Sequence, residues 1–165
     1  MTETHTYAIG DWIVHSQYGI GQLKGVDVKS ISGEEIDYYR IETADSTFWV
    51  PFKQMDSDIL RPVSTTEEIQ QAITALQKPP NEMSANYKIR QNLIHEALVG
   101  NTPQAFAGII RDLHALQRKK GILNQSERDA FRIIKQRLVQ EWAIVKDVKT
   151  NKVVTLVDNL LNQVA

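Results

Sequence analysis

The chain contains no cysteine. Disulfide scaffolds, cysteine nucleophiles and thiolate zinc sites are thereby excluded. Long apolar runs are lacking too. The longest, Trp142-Ala143-Ile144-Val145, falls far short of the ~18 residues of a membrane span. Residues 1–10 have neither a basic region nor an apolar core, so no secretory signal is expected and a soluble cytoplasmic protein is. An excess of charge of one sign is also missing. The 19 Lys+Arg face 20 Asp+Glu, a net charge of −1 over 165 residues, which taken whole argues against a strongly basic nucleic-acid binder. No catalytic set assembles either. His5, His15, His95 and His114 show no metal-ligand spacing, and no Gly-x-Ser-x-Gly elbow occurs. Gly19-Ile20-Gly21 lacks the Lys-Ser/Thr pair of a phosphate loop and reads as a turn. An enzyme, a bound metal, a cofactor and a small-molecule substrate are therefore not expected.

What is present is unevenly distributed. Five of the eight glycines fall at positions 10, 19, 21, 25 and 33. Between them stand short apolar or alternating runs: Trp12-Ile13-Val14, Val26 to Lys29, Tyr38 to Glu42 and Thr47 to Val50. Glycine punctuation of this kind predicts four or five short antiparallel strands, closed into a small β-barrel that hides its edges. Near Arg61-Pro62 the pattern becomes helical. Thr65 or Thr66 caps a helix over 67–77 that Pro79-Pro80 stops. A second spans 87–99, with Gly100 as its left-handed cap. A third starts at Pro103 and runs to about 119, closed by Gly121. Asn124 and Glu127 make a capping box for a fourth over 125–146, and a weaker fifth spans 153–163. The fold class is thus a small antiparallel β-barrel over 1–63 followed by an all-helical domain over 64–165.

Charge follows the same division. Residues 1–63 hold 5 basic and 10 acidic side chains, a net of −5, whereas residues 64–165 hold 14 and 10, a net of +4. Two domains of opposite sign suggest two different partners. Within 111–137 the count is 8 basic to 3 acidic. On a helical wheel Arg111, His114 and Arg118 lie opposite the apolar face of the third helix, while Arg128, Arg132 and Lys135 form one stripe of the fourth. Lys119-Lys120 occupies the turn between them. Such a surface suits a phosphate backbone through counterion release, and equally a solvated face. In the β-domain, Trp49 with its neighbour Phe48 either fills the core or offers an aromatic at a sheet edge for protein recognition. The same two readings apply to Trp12.

At this point the residues become familiar. Gly10-Asp11-Trp12-Ile13-Val14-His15-Ser16-Gln17-Tyr18-Gly19-Ile20-Gly21 resembles the opening signature of the CarD/CdnL family, a module shared with the RNA-polymerase-interacting domain of the transcription-repair coupling factor. Tyr38 to Ile41 and Trp49-Val50-Pro51 are similar to its later strands. Ile109-Ile110-Arg111-Asp112-Leu113 and Arg118 to Leu123, then Ser126-Glu127-Arg128, are similar to its helical half. The resemblance spans about residues 7–146, and its helical half sets the chain apart from a coupling factor, in which a helicase motor would be expected to follow the module. It implies a non-enzymatic transcription regulator, nucleoid-associated. Its Tudor-like domain would bind the RNA polymerase β subunit, and its helical domain promoter DNA at the upstream edge of the bubble, modulating open-complex stability. It places Lys29 and Trp49, with Phe48 beside it, at the polymerase contact. It places Met83 where many members carry a minor-groove Trp wedge, with Lys88 nearby. Arg111, Arg118, Lys119, Arg128 and Arg132 complete the expected DNA face. No membrane partner is implied and a monomer is expected. The alternative is a stand-alone, non-specific DNA-binding nucleoid protein.

Overall fold

The computed structural model describes residues 7–54 and 59–163. The chain divides into two compact units, 1–63 and 64–165.

In the first unit five strands form one antiparallel sheet: β1 (Trp12–His15), β2 (Gly19–Ile31), β3 (Glu34–Glu42), β4 (Thr47–Pro51) and β5 (Leu60–Pro62). The order β4-β3-β2-β1-β5 is that of a Tudor-like β domain. One strand departs from expectation. β2 is a single 13-residue strand rather than a short run, because neither Gly21 nor Gly25 ends it. At Gly21 a Cβ would sit 2.6 Å from Ile41 Cγ2, so the missing side chain lets two strands approach. Between Leu23 and Gly25 the register shifts by one residue, a β-bulge. Ser32 and Gly33, both with positive φ (54° and 83°), close the β2–β3 hairpin, as a two-residue turn of this hand requires. Ile13, Leu23, Ile41, Phe48, Val50 and Leu60 form the core.

The second unit has five helices: α1 (Thr66–Gln77), α2 (Tyr87–Gly100), α3 (Pro103–Lys120), α4 (Gln125–Lys146) and α5 (Thr150–Gln163). Local chemistry sets their ends. Thr65 with Glu68 and Asn124 with Glu127 make complete capping boxes. Gly121 closes α3 at φ 86°. α2 runs one residue further than its sequence suggests. The left-handed cap is Asn101 (φ 51°), not Gly100, and Asn is the non-glycine residue best suited to that region. Phe106, Ile110 and Leu113 of α3 are fully buried and centre a core shared with Ile69 and Leu76, Ile134 and Leu138, and Val153 and Val157. Among the described residues no helix is long and apolar enough to cross a membrane.

Candidate functional site

The β unit offers a built surface around Trp49. Side chains on a strand alternate between faces, so Phe48 and Trp49 diverge. Phe48 points into the core, with its ring 5.2 Å from His15 and 4.8 Å from Tyr18. That corrects the expectation that Phe48 serves a contact surface, since at 9% exposure it fills the interior. Trp49 remains 40% exposed. Its indole N–H donates to Asp27 Oδ2 at 2.8 Å, and Arg40 Nη1 donates to both carboxylate oxygens of Asp27 at 2.9 and 3.0 Å. The bond from Trp49, then the Arg40 guanidinium, hold the Asp27 carboxyl below its usual range. Lys29 Nζ lies 3.7 Å from the Trp49 ring centre, a cation–π contact. Lys29 and Trp49, both singled out from sequence, are thus brought together. Among the described residues β4 pairs with β3 alone and stands at the sheet edge.

The helical unit gathers its features at one end. The α1–α2 connection, the start of α2, the end of α3 and the start of α4 meet there. Three contacts reach the loop over 78–86, the last of them an exposed ion pair. Asn81 N–H donates to Asp112 Oδ1 at 2.9 Å. Arg90 Nη1 donates to the carbonyls of Ser84 and Ala85, each at 3.1 Å. Lys119 Nζ bonds Glu82 at 3.1 Å. Arg90 is in turn paired with Glu127, 2.7 Å from Nε to Oε2, with side chains 9% and 2% exposed. Met83, carried by this loop, is half-buried against the helical core.

The basic residues separate into two kinds. Lys88, Arg118, Lys119, Lys120, Arg128 and Arg132 are exposed. Arg111 is not. It is 9% exposed, donates from Nη1 to the Ala75 carbonyl at 2.9 Å in the last turn of α1, and from Nε to Asp112 at 2.9 Å. This corrects its placement on a solvated face beside Arg118, for its charge satisfies a helix C-terminus from inside. Burial also sharpens the patch. Glu127, one of the three acids counted within 111–137, is 2% exposed, as is Glu141 just beyond it. Glu141 Oε2 accepts from Ser64 N–H and Oγ–H at 2.8 and 2.6 Å. Among exposed acids between 111 and 137 only Asp129 remains.

The histidines divide similarly. His15 Nδ1 accepts from the backbone N–H of Gln17 and Tyr18, shaping the β1–β2 turn. His95 is exposed. His114 is held below its usual pKa by burial and then by Arg118 and Lys135. His5 lies outside the described residues. Among the described residues no three His, Cys, Asp or Glu side chains gather as a metal site.

Sequence reasoning missed Arg90, Asp27 and Arg40. Asp27 and Arg40 alternate with apolar residues on adjacent strands, the one available hint. Nothing local distinguishes Arg90 from a solvated helical arginine.

Comparison with known proteins agrees with this two-part layout. The CarD-like/TRCF RID domain model matches residues 7–64 and the CarD C-terminal domain model residues 71–158. A Bacillus subtilis (strain 168) protein named "Putative transcription factor YdeB" is 23% identical over 149 residues, covering 89% of this chain and 97% of that protein.

Proposed function

This chain belongs to the CarD family of transcription regulators, and on that premise we propose that it is an adaptor between RNA polymerase and promoter DNA. The β unit docks on the polymerase β subunit through edge strand β4 and the Lys29–Trp49 pair. The helical unit lays Lys88, Arg118, Lys119, Arg128 and Arg132 along the backbone phosphates at the upstream edge of the bubble, and Met83 stands against the minor groove. The consequence is a changed stability of the open complex. The reading needs no catalytic group, and the family is not an enzyme family.

One observation carries it. Trp49 is exposed on a strand that, among the described residues, pairs with β3 alone, with its orientation fixed by Asp27 and Lys29. A preorganised aromatic loses little entropy on docking, and an edge strand supplies main-chain hydrogen bonds. Opposite net charges of the two units, −5 and +4 by residue count, support different partners for each. The test is co-precipitation of the RNA polymerase β subunit by the full chain. Retention is expected, with at least a tenfold loss of affinity in Trp49→Ala, about 1.4 kcal/mol. No retention by folded wild-type protein overturns the reading. DNA binding that is then steeply salt-dependent without polymerase would favour the stand-alone nucleoid protein instead.

A further inference from the structure

Beside Met83 the helical unit holds a cleft of about 380 Å³, within the ~300–1,000 Å³ range of small-ligand sites. Its apolar walls are Pro80, Met83, Ala115 and Leu116. Asp112 stands in the wall, and both bonds that fix its carboxylate, from Asn81 N–H and Arg111 Nε, use Oδ1. Lys119 and Lys120 line the cleft as well. Glu82 pairs with Lys119 across its edge at 3.1 Å, but these side chains are 83% and 70% exposed, and so open a pair is worth little.

We propose that this cleft receives one unpaired nucleotide whose base carries an exocyclic amine. Apolar walls, including a polarisable thioether, suit a base face. The Asp112 carboxylate accepts from an exocyclic amino group, whereas thymine offers only its N3–H, set between two carbonyls that a carboxylate repels, so cytosine, adenine or guanine is favoured over thymine. The lysines take the phosphate. Asp112 and Lys119 stand seven residues apart on α3, about 10 Å along its axis, so the carboxylate and the ammonium groups meet different ends of a bound nucleotide. The inference rests on the promoter-contact reading for one of its two nucleotide sources, a base released from an opened duplex. A free nucleotide presents the same chemistry.

The experiment is an NMR titration of the full chain with deoxycytidine monophosphate and with thymidine monophosphate. In parallel, affinities are measured for a duplex carrying one unpaired C, one carrying one unpaired T, and a fully paired control. Saturable shifts of amides over 81–85 and 115–120 are expected with the cytidine nucleotide, at about tenfold or greater preference over thymidine, the lower end of the scale of one hydrogen bond to a charged group. Asp112→Asn keeps an oxygen for Asn81 and Arg111 and replaces the other by an amide donor, so the preference should reverse. Ala115→Phe should abolish the shifts by filling the cleft, which keeps the inference testable if Asp112→Asn does not fold. Preference for the unpaired C duplex assigns the site to opened DNA. Preference among mononucleotides alone assigns it to a free nucleotide. Equal response to both bases, or shifts elsewhere, overturns the inference. If that happens while the paired duplex still binds, the promoter-contact reading stands alone. If no DNA binds, that reading falls and the mononucleotides still decide the cleft.

Discussion

At Trp49 a single side chain answers to three neighbours: Asp27 takes its N–H, Lys29 covers its ring and β3 holds its backbone. Its neighbour Phe48 answers to the core. The two positions therefore separate stability from docking. Phe48→Ala should destabilise the β unit by about 3–5 kcal/mol, measured by chemical denaturation, whereas Trp49→Ala should spare stability and lower polymerase affinity. Equal destabilisation by both would contradict the alternation of faces. At Arg90 the logic is that of a buried ion pair. Glu127→Ala leaves a nearly buried guanidinium uncompensated and should cost about 3–5 kcal/mol in thermal or denaturant unfolding. The double variant with Arg90→Met should recover part of that loss. His114 gives a pH signature. Its folded-state pKa lies below that of the unfolded chain, so the unfolded state takes up the proton first as pH falls. Stability is complete above the usual histidine range, near 6.5, and declines as pH drops below it. His114→Gln should flatten that decline in melting temperatures recorded from pH 5 to 7.5, and an unchanged slope would remove His114 as its cause.

At the scale of elements, what could be read from sequence was what is written locally. Asn124-x-x-Glu127 and Thr65-x-x-Glu68 mark helix starts because the bonds they make lie within three residues. Asn124→Ala should cost about 1 kcal/mol, read by denaturation. Asn101 rather than Gly100 ends α2, a difference of one residue between two types that both tolerate the left-handed region. β2 was harder. Its glycines resemble turn punctuation, yet one permits close strand approach and the other adjoins a bulge. Neither role is visible without the partner strand. The buried charges were not legible either. Arg90 meets Glu127 from 37 residues away and Ser64 meets Glu141 from 77. A sequence shows such residues as members of a charge run, so Arg111 looked solvated and Glu127 counted against the patch.

Over the whole molecule the near-zero net charge conceals an acidic β unit and a basic helical unit. The exposed cations of the helical unit make a distinct prediction. Replacing Arg128 and Arg132 together by alanine should weaken DNA binding alike across sequences. It should also reduce the slope of log affinity against log salt by about 1.8, roughly 0.9 for each phosphate that is no longer neutralised. A sequence-selective loss would contradict a backbone role. The adaptor proposal itself is tested most directly by the lifetime of a promoter open complex, formed by RNA polymerase with and without the full chain and challenged with competitor DNA. The proposal predicts a lifetime altered by wild-type protein, with the effect abolished in Trp49→Ala through failure to dock and abolished in Met83→Ala while polymerase binding persists. An identical lifetime with and without saturating wild-type protein would contradict it.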